Sequence, residues 1–169
     1  RGRRAVNEGF KHSFKIEERA ELSLLVYNVG FQKCQGNYGW GPGVRDHFLI
    51  HYVVSGKGIY ENNGRTFVLE QGSAFLIAPE EVVYYRADGE APWEYYWVGF
   101  SGPAAALLLA QTPFTRQDPV MYPAAGERFR QALLEIYKAR GTDYPSAVRM
   151  AGYLQAALGL LMEPNRKQG

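Results

Sequence analysis

From Leu22 to Phe100 the chain breaks into short β-prone runs, each closed by turn residues, and this spacing constrains the fold more than any other feature. Leu22 to Tyr27 is apolar and suited to a strand. Gly36, Gly39, Gly41, Pro42 and Gly43 predict a loop. Phe48 to Val54 is rich in aromatic and β-branched residues, and Ser55-Gly56-Lys57-Gly58 turns it. Ile59 to Glu61 and Thr66 to Leu69 flank Asn62-Asn63-Gly64-Arg65, where Asn-Gly tolerates the positive φ angles of a tight hairpin. Ala74 to Ala78, Val82 to Arg86 and Tyr95 to Phe100 complete the series. Runs this short and regular predict a sandwich or barrel.

After Ser101-Gly102-Pro103 the periodicity changes from strand to helix. Ala104 to Gln111 is a short helical stretch, and a proline-containing connection follows. Glu127 to Arg140 is amphipathic, with Phe129, Leu133, Ile136 and Tyr137 on one side, and Gly141 stops it. Pro145 to Met162 is a second long helix with Asp143 as a cap, and Pro164 ends it. Its apolar stripe is Val148, Ala151, Leu154, Leu158 and Leu161. Two helices after a closed barrel have little barrel surface to cover, so they pack on each other or on a second subunit. The expected organisation is an arm at 1–20, partly mobile, a β-barrel at 21–102, helices at 103–163 and the start of a linker at 164–169.

Composition narrows the function. Nineteen basic residues against seventeen acidic ones give a net charge of +2, too small to argue for nucleic acid. A single cysteine, Cys34, forms no internal disulfide, which fits a reducing, cytoplasmic setting. No apolar run is long enough to span a bilayer. Twelve Tyr and three Trp favour half-wet surfaces such as pocket walls. No Cys/His pairs have zinc-finger spacing, and no Gly-rich phosphate loop precedes a helix.

The segment Gly39 to Gly58 carries a more specific pattern. Gly39, Arg45, His47, His51 and Gly58 fall where the first signature of the cupin barrel, Gly-x5-His-x-His-x3-Glu-x6-Gly, has its fixed residues. The chain thus resembles a cupin, a jelly-roll β-barrel, here followed by an antiparallel helix pair. Arg45 replaces the first ligand His and His51 replaces the Glu. The second signature fits from Gly72 and places Val83 at the last ligand position. A guanidinium and an isopropyl group do not bind a divalent metal. Two histidines are too few for a usual first shell, so neither metal nor cofactor is expected.

Alternation along the strand puts Arg45, His47, Leu49, His51 and Val53 on one face, toward the barrel interior if the cupin alignment holds. An inward Arg needs a partner, either an acid of the protein or a hydroxylated or anionic ligand. His47 and His51 are either satisfied core histidines or hydroxyl-binding groups. Tyr85 shares parity with Val83, and Tyr95 with Trp97. Tyr95 and Trp97 either fill the core or line a sugar pocket, where an indole covers the apolar face of a pyranose.

The run Arg45 to Gly58, the run Gly72 to Pro79 and the run Pro92 to Gly102 together resemble the regulatory domain of AraC-type transcription factors, over residues 22 to 162. The resemblance implies a bacterial, cytoplasmic regulator that performs no chemistry. Its barrel would sense a small molecule, a sugar by expectation, through Arg45, His47, His51, Tyr85, Tyr95 and Trp97. It implies that the arm closes over the ligand and that the paired helices form a homodimer through Val148, Ala151, Leu154, Leu158 and Leu161. DNA would be bound only through a C-terminal helix-turn-helix half that this chain lacks. A small cupin enzyme, a sugar isomerase or oxygenase resting on His47 and His51, is the alternative. A dimerisation module with a filled barrel is a third reading.

Overall fold

The computed structural model describes residues 9–15 and 22–165. In chain order these form β1 (Phe10–Lys15), β2 (Leu25–Lys33), β3 (Gly39–Gly43), β4 (Phe48–Ser55), β5 (Lys57–Asn62), β6 (Arg65–Glu70), β7 (Ala74–Ile77), β8 (Val83–Ala87) and β9 (Glu94–Ser101). There follow α1 (Pro103–Leu109), β10 (Val120–Met121), α2 (Gly126–Lys138) and α3 (Tyr144–Leu161). The strands make two antiparallel sheets. The larger has the order β1-β2-β9-β4-β7-β10, and the smaller β3-β8-β5-β6. Face to face they form the cupin-type jelly roll, with the helix pair packed on the outside.

The burial pattern of β4 explains why it reads as almost continuously apolar. Leu49 and Val53 face the space between the sheets, where Phe75, Tyr85 and Trp93 also lie. Ile50 and Tyr52 face outward and are equally buried, because the helices cover that side. The outer face of the larger sheet also offers Val26, Val29, Val98 and Phe100 to the helices. This corrects the expectation that the helices have little barrel surface to cover: α2 and α3 pack on β2 as well as on each other.

Local chemistry sets the helix ends as expected. The Asp143 side chain accepts a hydrogen bond from the Ser146 N–H at 3.2 Å, and Pro145 stands in the first turn, where its missing N–H costs nothing. Phe129, Leu133 and Ile136 of α2 are buried. On α3, Leu154, Leu158 and Leu161 are 0% exposed, beside Met150 and Ala157. The expected dimer stripe is therefore corrected at these three leucines. They already spend their apolar surface on the protomer's own core, at roughly 1.5–3 kcal/mol each, and have none left for a partner. Val148 lies on the opposite, exposed face and Ala151 at its border.

The segment expected to be a loop at Gly36–Gly43 contributes β3, which pairs with β8. The described part of the expected arm is a strand: β1 pairs with β2 from Phe10↔Lys33 to Lys15↔Asn28. The remainder of 1–20 lies outside the described residues.

Candidate ligand-binding site

Cross-strand register builds the site. Residues opposite one another in a sheet point to the same face. On the larger sheet Ser13, Gly30, Trp97, His51, Phe75 and Val120 stand in one row across β1, β2, β9, β4, β7 and β10. On the smaller sheet Trp40, Tyr85, Tyr60 and Phe67 form a second row. Between the sheets lies a partly open cavity of about 250 Å³. Arg45, His51, Tyr85, Tyr95 and Trp97 all line it. Among the residues of the notional ligand set, His47 does not.

His51 stands at the centre of an aromatic box. Its ring stacks on Phe75 at 4.7 Å and lies 4.8 Å from Tyr85, 4.6 Å from Tyr95 and 6.3 Å from Trp97. Arg45 lies flat on Trp40, 3.7 Å from the ring centroid, and its Nη2 donates to the Tyr85 hydroxyl at 2.9 Å. A guanidinium stacked on an indole and pinned at one nitrogen is held in place before any ligand arrives.

Three polar atoms of the lining are buried with no hydrogen-bond partner among the described residues: Asn28 Oδ1, Arg45 Nε and His51 Nδ1. Leaving such groups unpaired costs about 1–3 kcal/mol each. Their convergence on one cavity marks it as built for a polar occupant. Burial, with the Arg45 charge second, pushes the His51 pKa well down, so the ring is neutral and offers one donor and one acceptor. Burial pushes the Tyr85 hydroxyl up to about 12, and the Tyr95 hydroxyl is also raised by burial. Tyr95 bonds Cys34, whose thiol burial raises to about 12, so the cysteine serves as packing rather than as a nucleophile.

His47 takes another environment. It precedes β4, its Nδ1 lies 2.8 Å from Asp46 Oδ1, and its ring packs 4.4 Å from Tyr27. Its Nε2 is buried with no partner among the described residues. His47 and His51 are thus not presented together to a common ligand. Burial lowers the His47 pKa, against the Asp46 carboxylate, which favours the charged form.

These two rings set a pH dependence of stability. Both hold a proton less well in the fold than in the unfolded chain, whose histidines titrate near 6.5. Below pH 6.5 the unfolded chain takes up protons that the folded chain refuses. Stability is therefore full above 6.5 and falls as pH drops through the lowered folded values. The limiting slope is about 1.4 kcal/mol per pH unit for each ring. Urea unfolding at a series of pH values between 7 and 5 checks this. His51→Gln is expected to remove roughly half of the slope, and an unchanged slope would show that His51 is not its source.

Several lining residues escape the sequence pattern: Asn28 and Gln32 on β2, Trp40 on β3, and Lys11, Ser13 and Lys15 on β1. A bulge between Val26 and Asn28 resets the alternation of β2, so that Asn28, Gly30 and Gln32 face inward. Strand alternation also turns Lys11, Ser13 and Lys15 to the cavity side, opposite Gln32, Gly30 and Asn28.

A sequence model of the AraC-like ligand binding domain matches residues 26–161. The chain is similar to the Msm operon regulatory protein of Streptococcus mutans, with 32% identity over 144 residues, covering 84% of this chain and 51% of that protein. It is 36% identical over 105 residues to the raffinose operon transcriptional regulatory protein of Pediococcus pentosaceus, covering 57% and 37%. The arabinose operon regulatory protein of Salmonella typhimurium shares 30% over 94 residues, covering 51% and 34%. The chain thus spans about half the length of the first relative and about a third of the other two.

Proposed function

Since this chain belongs to the AraC-like ligand binding domain family, we propose that it is the effector-sensing part of a bacterial transcriptional regulator. The effector is a sugar bound inside the barrel. The observation that carries the reading is the set of unpaired buried atoms, Asn28 Oδ1, Arg45 Nε and His51 Nδ1, around a cavity walled by Trp97. A sugar ring meets both demands. Its C–H face covers the indole, and its hydroxyls donate to Asn28 and accept from Arg45. The operon names of two relatives, raffinose and arabinose, support the same class.

The site binds and does not react. His47 and His51, the two groups on which a cupin enzyme here would depend, sit in separate surroundings. The regulator acts in the cytoplasm, and DNA is contacted by a further domain. Ligand shifts the population of arrangements that place that domain, through its differential affinity for them. A thermal-shift screen of the chain against mono- and disaccharides tests the reading. A stabilising sugar whose effect needs Trp97 supports it, and a sugar bound equally well without Trp97 counts against it.

Dimerisation belongs to the same proposal, through the exposed face of α3. That face carries Val148, Gly152, Gln155, Ala156 and Gly159, with Arg149 at its border. A Cβ added at Gly152 or Gly159 meets nothing within 4 Å, so the face is smooth and open to a second helix. Sedimentation at roughly 50 µM, where weak interfaces populate, is expected to report a dimer. Gly152→Glu is expected to give a folded monomer, because the new side chain strains nothing within the protomer. A monomeric parent chain would sink the dimer.

A further inference from the structure

We infer that the ligand of this cavity is an anionic saccharide, one whose ring carries a carboxylate or a phosphate. The inference rests on the reading of the barrel as a sugar site and goes beyond it in assigning charge. Its basis is the inward face of β1. Register places Lys11 opposite Gln32, Ser13 opposite Gly30 and Lys15 opposite Asn28, and all six line or border the cavity. The other face of β1 is aromatic: His12 stacks on Phe31, and Phe14 packs against the core under the helices. The strand thus presents Lys-Ser-Lys where β9 and β4 of the same sheet present Trp97 and Leu49. A one-residue slip would exchange the two faces, so the pairing fixes the lysines toward the cavity.

Placement of the cations agrees with that face. Lys11 Nζ lies 5.7 Å from the ring of Trp97, a wall of the cavity, and Lys15 Nζ lies 5.0 Å from the ring of Tyr27, which packs on His47. Arg45 supplies a third charge deeper in. No described carboxylate forms an ion pair with it, and its Nε is buried without an acceptor. Three cations and no carboxylate are therefore found among the fourteen described residues that line the cavity. The whole chain has nineteen basic and seventeen acidic residues, so this imbalance is local and not a reflection of composition. The Lys15 charge acts on the Asp46 carboxylate, which is already bonded to His47.

A carboxylate or phosphate on the sugar completes the arrangement. It accepts from Arg45 Nε and faces the strand that carries Lys11 and Lys15, while the remaining hydroxyls donate to Asn28 Oδ1. Part of this attraction acts through water at the mouth and is screened by salt, whereas the Arg45 contact is sheltered.

Matched pairs test the charge directly. Calorimetric titration of the chain compares galacturonate with galactose, glucuronate with glucose, and glucose 6-phosphate with glucose, each at 50 mM and 500 mM NaCl. At least one charged member is expected to bind about tenfold tighter than its neutral parent at low salt, with the gap narrowing at high salt. The acid and phosphate arms separate the two sources of charge. The double substitution Lys11→Gln, Lys15→Gln changes only an edge strand; it is expected to remove most of the gap between each charged sugar and its neutral parent. Arg45→Gln is expected to remove the rest. Neutral sugars that bind through Trp97 as tightly as their charged partners would overturn the charge assignment and leave the sugar-sensor reading standing. No binding by any of the sugars, charged or neutral, would overturn both.

Discussion

Trp97→Ala is expected to abolish the ligand response while leaving a folded chain. At 100 times its dissociation constant, the best sugar of a screen stabilises the parent by about 2.7 kcal/mol. The variant should show almost none of this, with affinity lower by about 30-fold or more, because the flat platform for the ring is gone. Trp97 is 8% exposed and faces an existing cavity, so its removal enlarges a hollow rather than collapsing a packed core. Trp97→Phe keeps an aromatic face and is expected to retain part of the affinity. Calorimetry on the three proteins decides the matter, and undiminished binding by Trp97→Ala would remove the site from this wall of the barrel.

Leu158→Ala is expected to cost about 2–5 kcal/mol of folding stability, the range for emptying a fully buried leucine site. For a chain of this size that lowers the melting temperature by about 10 °C. The loss should not depend on protein concentration, since Leu158 is 0% exposed within one protomer. Val148→Ala, on the outer face of the same helix, should alter folding within about 0.5 kcal/mol. Urea titrations at two concentrations check both. A Leu158→Ala protein as stable as its parent but unable to dimerise would restore the leucines to an interface.

The two halves of the α3 problem show what a sequence can tell. A 3.6-residue apolar period says that a stripe is buried and is silent on what buries it. Here the outer face of β2 and β9 takes the leucines, through residues such as Val29 and Val98 that read as ordinary strand core. The barrel was more legible. Strand alternation is rigid over β4, β8 and β9, and so His51, Tyr85, Tyr95 and Trp97 could be brought to one face from parity alone. Arg45 lies on the turn before β4, where alternation carries less far, yet stacking on Trp40 holds it at the same cavity. His47, two residues on, is drawn aside by Asp46. Asn28 and Gln32 were hidden by one bulge, which moves the inward positions of β2 by one residue. Trp40 was hidden by the glycines around it, which resemble a loop but form an edge strand against β8. Lys11, Ser13 and Lys15 were hidden because a polar inward face on β1 gives no apolar alternation to detect.

Two rungs of the ladder between β2 and β9 pair a side chain with a residue that has none: Asn28 with Gly99, and Trp97 with Gly30. A Cβ at Gly30 would come within 2.6 Å of the Trp97 ring, and one at Gly99 would lie 2.3 Å from Asn28 Oδ1. Tryptophan and asparagine therefore lie down upon bare backbone, as tenons in mortises cut on opposite strands. The hollow is carved by omission, and alanine at either glycine would press on the neighbouring side chain that lines the cavity. A sliding of β2 by two residues that set Gly30 against Gly99 would put Asn28 against Ser101 and Gln32 against Trp97, leaving both mortises empty and both tenons unseated. Pairing register in this barrel is thus also the gauge that sets the bore.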